Sequence, residues 1–103
     1  MLLTKKIRKD LPELYANENL AAEEAMAVVK FFAPEGSWAF FATEFDGEDI
    51  FFGLVVGQFT ELGYVSLSEM KAVRTPTLRL PIERDLHFAP TSIAELKKQY
   101  PSY

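Results

Sequence analysis

Residues 38–59 read WAFFATEFDGEDIFFGLVVGQF, and the way this stretch pairs with itself decides the fold. Asp46-Gly47 is a strong β-hairpin signal, because glycine takes the positive φ that a tight turn between strands demands. It separates two runs rich in aromatic and β-branched residues, Trp38 to Phe45 and Ile50 to Phe59, which suit paired strands. A two-residue turn places Phe45 opposite Glu48 and Glu44 opposite Asp49, whereas a four-residue loop places Phe45 opposite Ile50. Side chains alternate along a strand, so in either register one face takes Trp38, Phe40, Ala42 and Glu44 with Asp49, Phe51, Gly53 and Val55. The other takes Ala39, Phe41, Thr43 and Phe45 with Ile50, Phe52, Leu54 and Val56. Neither face is polar. Such a hairpin is sandwiched by other elements or keeps an aromatic face open for a partner or a second copy of the chain.

Upstream, Pro34-Glu35-Gly36-Ser37 is a turn that joins the hairpin to a first strand over Ala25 to Ala33 (AMAVVKFFA). Downstream, Leu62 to Val65 is a short fourth strand. Thr4 caps a helix from Lys5 that Pro12 interrupts. Ser66-Leu67-Ser68-Glu69 is a capping box that opens a helix from Leu67 to about Val73, and Ser92 with Glu95 opens another over Ile93 to Tyr100. Leu78 to Phe88 is extended but broken by Pro81, which confines any strand there to a sheet edge. The expected class is α+β: one domain over 1–103, an antiparallel meander of about four strands flanked by short N-terminal, middle and C-terminal helices.

Composition narrows the function. With 103 residues, 49% of them apolar and 14% aromatic, the chain builds one modest core and is not disordered. No run approaches the roughly 20 apolar residues of a membrane span. The start, MLLTKKIRKD, has no secretory h-region, so the cytoplasm is the expected location. The absence of cysteine excludes disulfides, thiolate nucleophiles and cysteine-ligated metals.

The net charge of −4 is unevenly spread. Residues 1–12 and 70–103 are each net +3, whereas residues 13–69 hold eleven acids against Lys30 as the single base. Bases split between the ends argue against a duplex-DNA-binding face. The basic ends can lie against the acidic middle, or an acidic face can meet a partner.

Glu44, Asp46, Glu48 and Asp49 gather four carboxylates around the hairpin tip. Three readings stand: a solvated turn, a site for a basic partner, or a divalent-ion site. The spacing of a calcium loop is absent, so no bound metal and no cofactor are expected. His87 follows Asp85 by two residues, but Ser66 and Ser92 are explained by capping and no G-x-S-x-G elbow is present. Gly53 and Gly57 lie on one strand face, where Phe40 can cover the bare Gly53. Arg79 to Asp85 (RLPIERD) alternates in sign, as solvated ion pairs or an Arg79/Arg84 contact for an anion or a protein.

The strings LLTKKIRKDLPEL (2–14), VKFFAPEGSW (29–38), ATEFDGEDIFFGLVVG (42–57), LGYVSLSEM (62–70) and LPIERD (80–85) together resemble domain-of-unknown-function family 2958, a bacterial family of about this size. The resemblance implies an accessory role in mobile-element biology, sometimes beside antirestriction proteins, and carries over no catalytic residues. Joined to the residue-level reading, it points to a non-enzymatic protein-interaction module. Its candidate partner-binding residues are Glu44, Asp46, Glu48, Asp49, Trp38, Phe40, Phe51, Arg79 and Arg84. The expected partner is a protein, for instance a basic nucleic-acid-handling protein met by a DNA-mimicking acidic face, or a second copy in a homodimer. The alternatives are a metal-assisted hydrolase using Glu44, Asp46 and Asp49 with His87, and a structural subunit of a larger assembly.

Overall fold

The computed structural model describes residues 2–101. At the hairpin tip Gly47 has φ +89°, and Asp46 N–H donates to the Ile50 carbonyl at 2.9 Å. The loop is therefore Gly47-Glu48-Asp49, between the two lengths considered from sequence. The strands it joins are β3 (Ala39–Phe45) and β4 (Ile50–Val56). Their register runs Ala39↔Val56 to Ala42↔Gly53, then shifts to Glu44↔Phe52 and Phe45↔Phe51. Thr43 is the extra residue of a β-bulge, and its hydroxyl donates to the Phe52 carbonyl at 3.1 Å.

This bulge corrects the facial assignment. Beyond Thr43 the two faces exchange, so Phe45 joins Phe40 and Phe51, stacking on Phe51 at 4.3 Å between ring centroids. Glu44 turns to the opposite face, toward Phe52. Without the bulge, a carboxylate would enter the apolar face and a phenyl ring would leave it. Burying an unpaired charge among rings is far more costly than the roughly 1.5–3 kcal/mol a buried Phe contributes. Gly53 also has a different cause from the expected cover by Phe40. A Cβ there would lie 2.0 Å from the Phe41 carbonyl oxygen, so the bulged strand's backbone itself requires glycine.

Around the hairpin, β2 (Val29–Phe32) pairs with β3, β5 (Thr60–Ser66) with β4, and the two-residue β6 (Glu83–Arg84) with β2. The sheet is antiparallel in the order β5-β4-β3-β2-β6. The predicted first strand is divided at Val28. Its start, β1 (Met26–Ala27), leaves the main sheet and pairs with β7 (Thr91–Ser92). Three short helices, α1 (Lys5–Asp10), α2 (Leu67–Ala72) and α3 (Ile93–Gln99), begin where sequence placed them. Thr4, Ser66 and Ser92 each accept a backbone N–H three residues on, at 3.2 Å. Helices this short hold together only by docking.

They dock on both sides of the sheet. Phe31, Phe40, Phe45 and Phe51 form one core with Leu3, Leu11, Leu67, Met70 and Ile82. Phe41, Leu54 and Val56 form the other with Ile93, Leu96, Ala27 and flanking Phe88 and Tyr100. An open aromatic face was one expectation, and the structure removes it: Phe40 and Phe51 are fully buried. The extended 78–88 segment supplies Ile82 to one core and Phe88 to the other.

Candidate functional site

At the hairpin tip the carboxylates are committed to local structure. Asp46 Oδ1 accepts the backbone N–H groups of Glu48 (2.8 Å), Asp49 (2.8 Å) and Ile50 (3.0 Å). Those bonds, with Glu48 and Asp49 first, hold its carboxyl below the usual aspartate range. Asp49 accepts the Ser66 hydroxyl at 2.6 Å and the Ser68 N–H at 2.7 Å, so it joins Ser66 in capping α2, and the Ser66 bond leads in lowering its pKa. Arg8 of α1 donates to the Gly47 carbonyl and lies 5.2 Å from the Phe45 ring centroid. The basic N-terminal helix thus closes on the acidic tip, while Glu48 remains exposed.

Glu44 is not part of this cluster. The bulge carries it to the other face, where it is only 5% exposed. Among the described residues no three His, Asp or Glu side chains converge as a metal site would need, so the Glu44/Asp46/Asp49 constellation of the hydrolase alternative is not assembled. His87 is exposed, and its N–H bonds to Asp85 at 2.8 Å. The remaining predicted residues separate. Phe40 and Phe51 are core. Arg84 donates to the Leu2 carbonyl at 3.0 Å, and Arg79 is exposed in a turn with φ +56°. Trp38 is half-buried and lines a cavity of about 480 Å³ with Tyr64, Val65, Met70, Val73 and Pro76.

The opposite face of the sheet holds a second cavity, of about 200 Å³, walled by Glu44, Tyr15, Phe52, Leu62 and Tyr64. Glu44 Oε1 accepts the Tyr15 N–H at 2.9 Å and Oε2 the Asn17 N–H at 3.0 Å. This clamp fixes the loop after α1, with Tyr15 at φ +67°, a conformation rare outside glycine. Phe52 and Tyr64 rings lie 5.0 Å apart. Hydrogen bonding with Tyr15, then burial and the charges of Tyr15 and Glu44, pushes the Tyr64 hydroxyl above the usual tyrosine pKa.

Tyr64 borders both cavities because it stands on β5, the edge strand between them. Two bonds set the phase of that edge: Leu67 N–H to the Asp49 carbonyl (2.7 Å) and Gly57 N–H to the Phe59 carbonyl (3.0 Å). Antiparallel pairs alternate between bonded and non-bonded. Glu61, Gly63 and Val65 therefore turn their backbone groups toward β4, and Thr60, Leu62, Tyr64 and Ser66 turn theirs outward. The two edges of the sheet are unlike. β6 is two residues long, close behind Pro81, whereas β5 is seven residues in unbroken register, with no Lys or Pro. Phe59 and Tyr64 stand exposed beside it, at 59% and 57%. Sequence reasoning missed Tyr15 and Tyr64 because nothing local signals that a loop and an edge strand meet over Glu44.

Fold and site together define a small α+β domain with a guarded edge, an open edge and a cavity on each sheet face beside the open one. The chain belongs to the family described as protein of unknown function (DUF2958), whose model matches residues 2–97. Comparison with curated proteins and with solved structures gives no match. No helix among the described residues is long and apolar enough to cross a membrane.

Proposed function

We propose that this protein is a non-enzymatic interaction module that receives an extended segment of a partner protein along β5. The observation that carries the proposal is the contrast between the two sheet edges. Proteins blunt an unused edge by shortness, charged side chains (Lys above all), Pro or a bulge; β5 is long and regular, has no Lys or Pro, and carries a single charge, the exposed Glu61. An added strand bonds through outward main-chain groups and sorts its alternate side chains to the two faces. A partner of basic character suits the edge, because β5 lies within the acidic 13–69 stretch, and a second copy would bring like charge to it. A basic nucleic-acid-handling protein is one such partner, and an accessory role of this kind suits the mobile-element setting implied by the family resemblance. The DNA-mimic version has less support. Glu35, bonded to Leu78 N–H at 2.7 Å, and Asp46 lie at opposite ends of β3, Glu44 is buried, and Glu23 pairs with Lys97 at 3.0 Å.

The test is capture from lysate at low and high salt, followed by amide exchange on the purified binary complex. Exchange at Leu62 and Tyr64 should slow on binding, while Gly63 and Val65, already bonded to β4, stay unchanged. A partner that leaves Leu62 and Tyr64 exchanging as in the free protein refutes the proposal.

A further inference from the structure

The Glu44 cavity is a separate matter from the strand edge. Glu44 is a carboxylate 5% exposed, and among the described residues it has no cation within ion-pair distance: the side-chain pairs are Lys6–Asp10 and Lys97–Glu23. The cavity lining includes Glu18 as a second acid and no Lys, Arg or His. A buried carboxylate normally has a counter-charge or a full set of donors. Glu44 has two backbone N–H donors, one on each oxygen, and a carboxylate offers about four acceptor sites. Acceptor capacity is therefore left over. Three aromatic rings, Tyr15, Phe52 and Tyr64, share the remaining wall with aliphatic side chains such as Leu20, Leu62 and Ile93. Ring faces attract cations, most strongly where water is excluded.

We infer that the cavity walled by Glu44, Tyr15, Phe52 and Tyr64 is a binding site for an organic cation bearing N–H donors, an alkylammonium or alkylguanidinium. Glu44 accepts the N–H groups and the rings flank the charge. A volume of about 200 Å³ lies below the roughly 300 Å³ at which pockets for drug-sized ligands begin, so the site takes a group of side-chain size. Free amines and the lysine or arginine side chain of a protein share this chemistry.

The test is titration of the isotopically labelled protein, followed by NMR, with n-butylammonium, n-butylguanidinium, the neutral n-butanol, and lysine blocked at both ends as its acetyl methylamide. Butylammonium or butylguanidinium should shift the amides of Tyr15, Asn17, Phe52 and Tyr64, with butanol at least tenfold weaker. Blocked lysine binding as well as butylammonium assigns the site to a protein side chain. Its exclusion assigns the site to a free amine, and both results support the cation site. Glu44→Gln should weaken binding at least tenfold. Because Glu44 also clamps the 15–17 loop, Tyr64→Leu, at an exposed position, is the second variant, and it should weaken the cation several-fold without altering the fold. Butanol matching butylammonium, shifts confined to other surfaces, no binding by either cation, or full affinity in both variants would each overturn the inference.

Discussion

Replacing Gly53 with alanine tests the bulge at its tightest point. The new Cβ would meet the Phe41 carbonyl oxygen at 2.0 Å and the Ala42 Cα at 2.9 Å. Both are backbone atoms in the centre of the sheet, so no side chain can swing away to make room. The β3–β4 pairing must open by about an ångström or a peptide plane must rotate. Overpacking relieved by side-chain movement costs about 1–3 kcal/mol. Opening the ladder adds the loss of roughly two backbone hydrogen bonds at about 1 kcal/mol each. Alanine returns about 0.4–1 kcal/mol by restricting the unfolded chain. The net expectation is a loss of about 2–4.5 kcal/mol, a large part of the roughly 5–15 kcal/mol that a domain possesses. In a domain of this size that lowers Tm by roughly 8–35 °C. Urea denaturation followed by tryptophan fluorescence and circular dichroism reads it directly. Gly63→Ala is the matched control one strand over, where the nearest atom would be Val55 Cγ2 at an ordinary 3.8 Å, and it should stay within about 1 kcal/mol of wild type. A Gly53→Ala protein as stable as wild type, or both variants equally damaged, would refute a backbone contact as the reason for glycine.

Glu44→Gln should destabilise by about 1–3 kcal/mol, because an amide cannot accept from both Tyr15 and Asn17, and exchange should quicken at those two amides above all others. The Asp46 and Asp49 carboxyls titrate below their unfolded value of about 3.9, so the stability they contribute is complete above that pH and is lost as pH falls through their folded values. Acid unfolding curves should steepen below about pH 4, and Asp46→Asn/Asp49→Asn should flatten that limb while leaving the pH 6–8 region level. Ser92→Ala should cost about 1 kcal/mol as a lost cap; Ser66→Ala should cost more in the same melts, since its hydroxyl also donates to Asp49. Phe51→Ala should remove about 3–5 kcal/mol, as a core residue would and a surface partner contact would not.

What was legible in the sequence is what neighbouring residues settle among themselves. Asp46-Gly47 turns the chain because a carboxylate collects adjacent N–H groups and a glycine accepts positive φ. Thr4, Ser66 and Ser92 start helices because a hydroxyl reaches three residues ahead. Pro81 sends its segment to an edge because it lacks a donor. None of these depends on distant chain. The bulge at Thr43 does, since it is chosen by where Phe45 and Glu44 end up: one in a core completed by Leu3, Leu11 and Met70, the other under the Tyr15–Asn17 loop. A single inserted residue reversed two side chains and moved Glu44 from the hairpin tip to the floor of a cavity. Strict alternation has no means of indicating that. Burial of Phe40 and Phe51, likewise, came from distant segments meeting on one face of the sheet: Leu3 and Leu11 from the N-terminal end, Leu67 and Met70 of α2, and Ile82. The open edge at β5 followed from strand order, a property of long-range pairing free energies rather than of any local pattern.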